Sequence, residues 1–162
     1  MERLALLLGR LAAFLFVAAA AVTVWEVAAR YLFDRPTNWA HETTTTLCAV
    51  GFALGGAYAF ARNEHIRITA LTDRVSPRAR RGLEVLALLL GAVYLAGLGH
   101  AAWSQAAESL WRFDATGWAP ELTPGPPNWP LPSIVRAGLA LGTLLFLACV
   151  VQRLLAVLRG RA

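Results

Sequence analysis

The stretch "LAAFLFVAAAAVTVW", residues 11–25, contains no charged side chain and decides the class of protein. A helix that crosses the hydrocarbon core of a bilayer needs about 20 mostly apolar residues. Neighbouring residues extend this stretch to about 4–29, which predicts a membrane span. A cleaved signal peptide is the alternative, with "AAAAV" as its cleavage region. The apolar run continues to Trp25 and Val27, which is longer than a usual signal core, and this favours the span.

Three further segments have the same character, and the composition of the whole chain agrees with them. Hydrophobic residues make up 57% of the 162 residues and charged residues only 15%, whereas a soluble domain has about a quarter charged residues. The sequence therefore predicts an all-α membrane protein with four transmembrane helices in one domain, 1–162. The other predicted spans are 43–61, 83–103 and 134–158, and a Pro- and Trp-rich outer loop covers 104–132.

The arginines predict how these spans are oriented. All 15 basic residues are Arg, and 11 of them fall in the amino end, the 62–81 loop and the carboxyl tail. Cytoplasmic segments of membrane proteins carry the excess of basic residues. Both termini and the 62–81 loop are thus predicted to be cytoplasmic. No continuous basic face alternates with stacking aromatic residues, so we expect no nucleic-acid partner.

Local signals refine the ends of the helices. Ser76 and Pro77 suit the cap and the first position of the third helix, before the bilayer begins. Apolar residues at helical spacing past 103 predict that this helix continues to about Trp111. Six prolines exclude regular helix from 117–132, where we expect Trp118 and Trp129 to lie at the membrane interface. Residues 66–75 predict a short amphipathic segment on the cytoplasmic surface.

Small residues four positions apart mark possible helix contacts. Such pairs let helix backbones approach closely in lipid. We expect packing among the chain's own helices, and docking against another membrane protein is the alternative. The pairs are Gly51 with Gly55, Ala87 with Gly91, and Gly138 with Gly142.

Polar side chains inside or beside the spans have structural interpretations. Glu26 and Arg30 stand four apart in the favourable acid-first order, which predicts an ion pair near the outer end of the first helix. A proton-relay role for Glu26 is the alternative, because ionisable groups within spans are functional candidates. The hydroxyl groups of Thr43–Thr46 are predicted to bond back to helix carbonyls.

The histidines suggest one cofactor site, a haem site, which we discount. His41 and His100 both fall near the outer face and match axial ligands of a haem, but His65 falls on the opposite face. Cys48 and Cys149 are predicted at different depths and therefore unbonded. No nucleotide-binding loop, zinc-ligand spacing or nucleophile elbow is present. We predict neither enzymatic activity nor a cofactor.

Three motifs, taken in their order along the chain, resemble those of the small membrane subunit of tripartite ATP-independent periplasmic (TRAP) transporters. They are an Arg-aromatic pair after the first span, a Trp-x-x-Glu at the second, and a His-Ile-Arg turn after it. The family's acidic residue after this turn falls on Thr69, a departure that alters any contact the acid makes. The matching residues are Arg30 and Tyr31 in "ARYLFDRPTNWAHE" (29–42), Trp39 and Glu42 in the same stretch, and His65, Ile66 and Arg67 in "NEHIRI" (63–68).

The resemblance implies a location in the inner membrane of a bacterium and a supporting role in a transporter that imports organic acids, especially carboxylates, with an ion gradient. It implies a large permease subunit and a periplasmic substrate-binding protein as partners, and loop 104–132 is a candidate contact for the binding protein. On this interpretation Arg30, Trp39, Glu42, His65 and Arg67 hold helix ends and subunit contacts. The alternative is a self-contained, homo-oligomeric four-helix transporter or channel.

Overall fold

The computed structural model describes residues 2–62, 76–114, 117–124 and 127–159, most of them helical. Between the third and fourth helices, a short antiparallel ribbon pairs two strands of two residues each. All four helices are long and apolar enough to cross a membrane, which confirms the predicted fold class. The elements are α1 (Glu2–Leu32), α2 (Trp39–Ala61), α3 (Pro77–Leu110), β1 (Phe113–Asp114), β2 (Gly117–Trp118) and α4 (Leu131–Leu158).

Helix α3 extends beyond its predicted span at both ends, as its end signals indicate. The Ser76 hydroxyl accepts a hydrogen bond from the backbone N–H of Ala79 at 3.4 Å, and Pro77 occupies the first turn. Helix α4 starts three residues before its predicted span, because Pro132 falls in the first turn, where a missing N–H costs nothing. The predicted amphipathic segment 66–75 lies outside the described residues.

The helices form a row in the order α1, α2, α4, α3 rather than a closed bundle. Within the described residues, helix backbones approach each other in three pairs only: α1 with α2, α2 with α4, and α4 with α3. Each helix therefore leaves broad surfaces that no other part of the described chain covers. At most 22% of the residues in any spanning window are buried inside the chain, so lipid or another protein must cover the rest.

Glycines lie in two of the helix contacts of the row, α1–α2 and α2–α4. A Cβ placed on Gly51 would lie 3.2 Å from the ring of Phe16, which puts the α1–α2 contact there. A Cβ on Gly142 would lie 2.6 Å from the carbonyl oxygen of Ala53, a distance that no real side chain tolerates. Gly138 similarly faces Val50, at 2.7 Å. These contacts agree with the prediction that small residues permit close approach within the chain.

The contact between α3 and α4 combines a cluster of large side chains with a smaller cluster of Ala102, Ala106 and Ala140. Its buried centre is made of aliphatic residues from both helices, namely Leu88, Leu95, Val150 and Val157. Gly91 differs from the prediction, because a Cβ there would meet no atom within 4 Å. Four-residue spacing identifies a face of α3, but that face borders an apolar gap instead of a helix backbone.

Contacts along the row also show which way each helix runs. Gly9 meets Tyr58 and Gly51 meets Phe16, so α1 and α2 are antiparallel. On α4, Gly138 meets Val50 and Gly142 meets Ala53, so α2 and α4 are parallel. An ion pair between Glu84 and Arg153 makes α3 and α4 antiparallel. The start of α1 and the end of α4 thus share one end of the row, here called the terminal end. The opposite end, with connections 33–38 and 111–130, is called the loop end.

Candidate functional site at the loop end of the row

The carboxylate of Glu26 fastens the connection between α1 and α2. Arg30 Nη2 lies 2.6 Å from Glu26 Oε1, which confirms the predicted pair. The other carboxylate oxygen accepts the backbone N–H of Thr37 at 3.0 Å and also the Thr37 hydroxyl. Thr37 was missed by sequence reasoning, because eleven residues and the end of a helix separate it from Glu26.

The turn after α1 is tight. Asp34 adopts a left-handed backbone conformation with φ of 51°, which an Asp tolerates better than most residues. The N–H of Arg35 then reaches back to the carbonyl oxygen of Ala29 at 2.9 Å. Together with the contacts of Glu26, this turn fixes where α2 begins.

Trp39, the first residue of α2, approaches the ring of Trp129 in the long connection. The ring centroids are 6.1 Å apart and the planes are tilted by 49°. Two aromatic rings at one end of the row suit the interfacial layer of a membrane, where Trp is enriched. The contact also ties the start of α2 to the segment before α4.

Glu42 lies in the first turn of α2 and lines a groove between α2 and α4. Glu42 is half-buried. Its side chain makes no hydrogen bond or ion pair within the described part of the chain. The groove encloses about 400 Å³. Its lining residues are His41, Glu42, Thr45, Thr46, Thr123, Pro124, Leu131, Pro132, Val135 and Arg136.

Three threonine hydroxyls of α2 donate hydrogen bonds to backbone carbonyls of their own helix. Thr43 donates to the carbonyl of Trp39 at 2.9 Å, Thr45 to that of His41 at 2.9 Å, and Thr46 to that of Glu42 at 2.8 Å. This confirms the predicted back-bonding for three of the four threonines, Thr43, Thr45 and Thr46. These hydroxyls donate to helix carbonyls and therefore do not serve as hydrogen-bond donors to the Glu42 carboxylate.

A polar cluster joins the long connection to α3 and α4. The hydroxyls of Ser109 and Ser133, each on a residue only 1% exposed, lie 2.8 Å apart. Ser109 also donates to Glu121 Oε2 at 3.1 Å. Arg136 binds both oxygens of the same carboxylate, with Nη2 3.1 Å from Oε1. The cluster fixes the connection against the row and neutralises Arg136.

Sequence reasoning missed this cluster. Glu121 is 12 residues from Ser109 and 15 from Arg136, so no helical or strand spacing relates them. The only available signal is the presence of an Arg and a Glu on the same predicted side of the membrane. The prediction that loop 104–132 lies at one end of the spans is consistent with it.

Apart from His41, which lines the groove, the other candidate residues are not seen at this site. His65 and Arg67 lie outside the described residues, and their contact roles remain predictions. His41 and His100 stand on α2 and α3, which α4 separates. Cys48 and Cys149 are both free, as predicted. In the described ranges, no group of three or more His, Cys, Asp or Glu side chains is arranged to hold a metal ion.

Comparison with known proteins identifies the family. A family model described as the DctQ component of tripartite ATP-independent periplasmic transporters matches residues 19–159. The "Sialic acid TRAP transporter small permease protein SiaQ" of Vibrio cholerae serotype O1 is 32% identical over 92 residues. That alignment covers 54% of this chain and 53% of the relative, so the chain spans about half the length of the curated relative it matches.

The family match covers almost the whole row of helices, including the loop-end site. The four helices seen here are each long and apolar enough to cross a membrane. The protein is a multi-pass inner-membrane protein and belongs to the family of small permease subunits, the DctQ components, of TRAP transporters.

Proposed function

We propose that this small permease subunit is non-catalytic and that it scaffolds the large permease subunit of a TRAP transporter. The observation that carries the proposal is the open row of helices. A translocation path needs polar groups within a closed or gated bundle, whereas the ion pairs described here lie toward the ends of the row. A row with two uncovered faces can instead widen and hold a larger membrane protein.

The exposed apolar side chains support this proposal. Phe14, Val17 and Val24 on α1 are each more than 65% exposed, and Val93 and Tyr94 on α3 are similarly uncovered. Lipid accepts such surfaces, but it gives helices no hydrophobic reason to associate. Stable attachment to a second membrane protein therefore also needs close packing or polar contacts, for which the loop end supplies candidates.

The transported substrate is proposed to be an organic acid, carried by the large subunit with an ion gradient. Support for the chemical class comes from the relative named for sialic acid, an acidic sugar. A soluble binding protein is proposed to deliver it. We further propose that the terminal end is cytoplasmic, which follows from the distribution of the arginines, and that the loop end meets the binding protein.

Purification from native membranes tests the scaffold proposal. A tagged copy of the chain is expected to bring down a much larger permease in a fixed molar ratio. Uptake of an organic acid in liposomes is then expected to need both membrane subunits and the binding protein. A stable homo-oligomer that transports alone would contradict the proposal and establish the self-contained alternative.

A further inference from the structure

We propose that the groove between α2 and α4 receives an arginine or lysine side chain of the large permease subunit, which pairs with Glu42. The inference rests on the proposed function, because it takes the large subunit as the partner. It adds which helices meet that subunit at the loop end and which charge the contact requires.

The balance of charge in the groove selects a cation. Arg136 is already neutralised by both oxygens of Glu121. His41 is exposed on the rim. With His41 neutral, the remaining formal charge is the single negative charge of Glu42. A monocation restores neutrality, whereas a zwitterionic lipid headgroup leaves the charge unchanged and an anion increases it.

The surroundings of Glu42 make pairing necessary once the groove is covered. Leu131, Pro132 and Val135 make much of the lining apolar. The N-terminal turn of α2 favours a negative charge, but only by a small amount at a hydrated site. A partner that packs over the groove removes water from the carboxylate, which is costly unless a positive group replaces that water.

The depth of the groove indicates a partner within the membrane. Its lining reaches Thr46 on α2 and Arg136 on α4, roughly 8–10 Å along the helices from their first residues at 1.5 Å per residue. The Trp39 and Trp129 rings lie at the same end. A protein embedded beside the row can present a side chain at this level from the flank, as arginine and lysine do near the ends of spanning helices.

Charge substitution at Glu42 tests the pair by co-purification of the large subunit from native membranes. Glu42→Arg is expected to lower the molar ratio of large subunit to this chain by about tenfold or more, and Glu42→Gln by a smaller factor. Glu108→Arg and Glu108→Gln are the matched controls, since Glu108 is an exposed carboxylate on α3 at the loop end of the row. Both control ratios are expected to equal that of the unaltered chain.

A second step identifies the partner residue. In the Glu42→Arg background, each interfacial Arg or Lys of the large subunit is changed to Glu in turn. One such change is expected to restore the ratio. Thermal unfolding of each variant chain alone checks its fold, and the isosteric Glu42→Gln carries the test if Glu42→Arg does not fold.

Four outcomes would overturn the inference, and the last of them would also contradict the proposed function. Unchanged ratios in both Glu42 variants exclude the pair. Loss without rescue by any acidic substitution excludes a direct contact. Loss of bound phosphatidylethanolamine in native mass spectrometry, with an unchanged protein ratio, assigns the groove to a lipid. Failure of the unaltered chain to retain any large subunit contradicts the proposed function itself.

Discussion

Helix α4 has two neighbours, and it packs against them in different ways. Towards α2 it presents Gly138 and Gly142, which bring the two backbones so close that a Cβ on Gly142 would overlap Ala53. Towards α3 it contributes Val150 and Val157 to an aliphatic cluster. The α2–α4 contact depends on absent side chains, whereas the α3–α4 contact has large side chains at its centre, with Ala102, Ala106 and Ala140 beside them.

The difference shows how a thin row can hold together in lipid. Association of helices there comes from van der Waals packing and polar contacts, since lipid tails are as apolar as the side chains. The α2–α4 contact obtains its packing from backbone proximity. The α3–α4 contact obtains its packing from aliphatic side chains and adds polar ties at both ends: Glu84 with Arg153, and Ser109 with Ser133. The two contacts should therefore respond oppositely to added and removed atoms.

The largest effect is expected from adding atoms to the glycine contact. Gly142→Leu should lower the free energy of unfolding in detergent by about 3 kcal/mol, because α4 must move away from α2. Gly142→Ala should show a smaller loss, since helix propensity offsets part of the strain. Thermal unfolding measures both. Stability equal to that of the unaltered chain in Gly142→Leu would mean that the backbones are not in contact there.

Removing atoms from the aliphatic contact should have the next largest effect. Leu95→Ala is expected to cost about 2 kcal/mol, near the lower limit for buried leucines, because the surroundings are lipid or detergent rather than water. Leu90→Ala is the matched control, since Leu90 is 63% exposed on the same helix. Equal losses for both leucines would remove the distinction between the buried and the outer face of α3.

The polar tie at the loop end should contribute less. Ser133→Ala leaves Ser109 with one fewer partner and is expected to cost about 1 kcal/mol. Faster protease cleavage within the connection between α3 and α4 should accompany the loss. Ser104→Ala is the control, because Ser104 is exposed and donates only to the Ala101 carbonyl in its own helix. The same cleavage rate in both variants would show that the cluster does not hold the connection.

The smallest effect is expected at Gly91, where the spacing resembles that of the α2–α4 contact but a Cβ would meet no atom. Gly91→Ala should raise the free energy of unfolding of the isolated chain by up to about 1 kcal/mol, through helix propensity alone. A loss of stability would show that another part of the protein reaches this gap. A stable variant that no longer retains the large subunit would instead place the gap in the subunit interface.

Several local features of the fold could be predicted because their causes are local. The start of α3 follows from a Ser that accepts a backbone N–H and a Pro that needs no partner. The Glu26–Arg30 pair follows from the helical repeat. Contacts between distant segments could not be predicted, because no spacing rule relates Thr37 to Glu26 or Glu121 to Arg136.

The candidate site shows the same division. Trp39 and Glu42 were singled out from the motif they share, without any indication of their surroundings. The structure adds that Trp39 meets Trp129 and that Glu42 lines a groove opposite Arg136. Each of these neighbours follows from the parallel packing of α2 and α4, which brings together residues ninety or more positions apart in the chain.

By itself, the sequence determined that this protein has four membrane spans, since a long apolar segment in lipid has to satisfy its backbone as a helix. It also determined the start of α3, where Ser76 and Pro77 act within a single turn. Only the tertiary structure decided that α4 lies between α2 and α3, that the helices form an open row, and which glycines are contacts. Apolar faces are equivalent towards lipid and towards each other, so their pairing depends on shape and on a few polar side chains that meet only after folding.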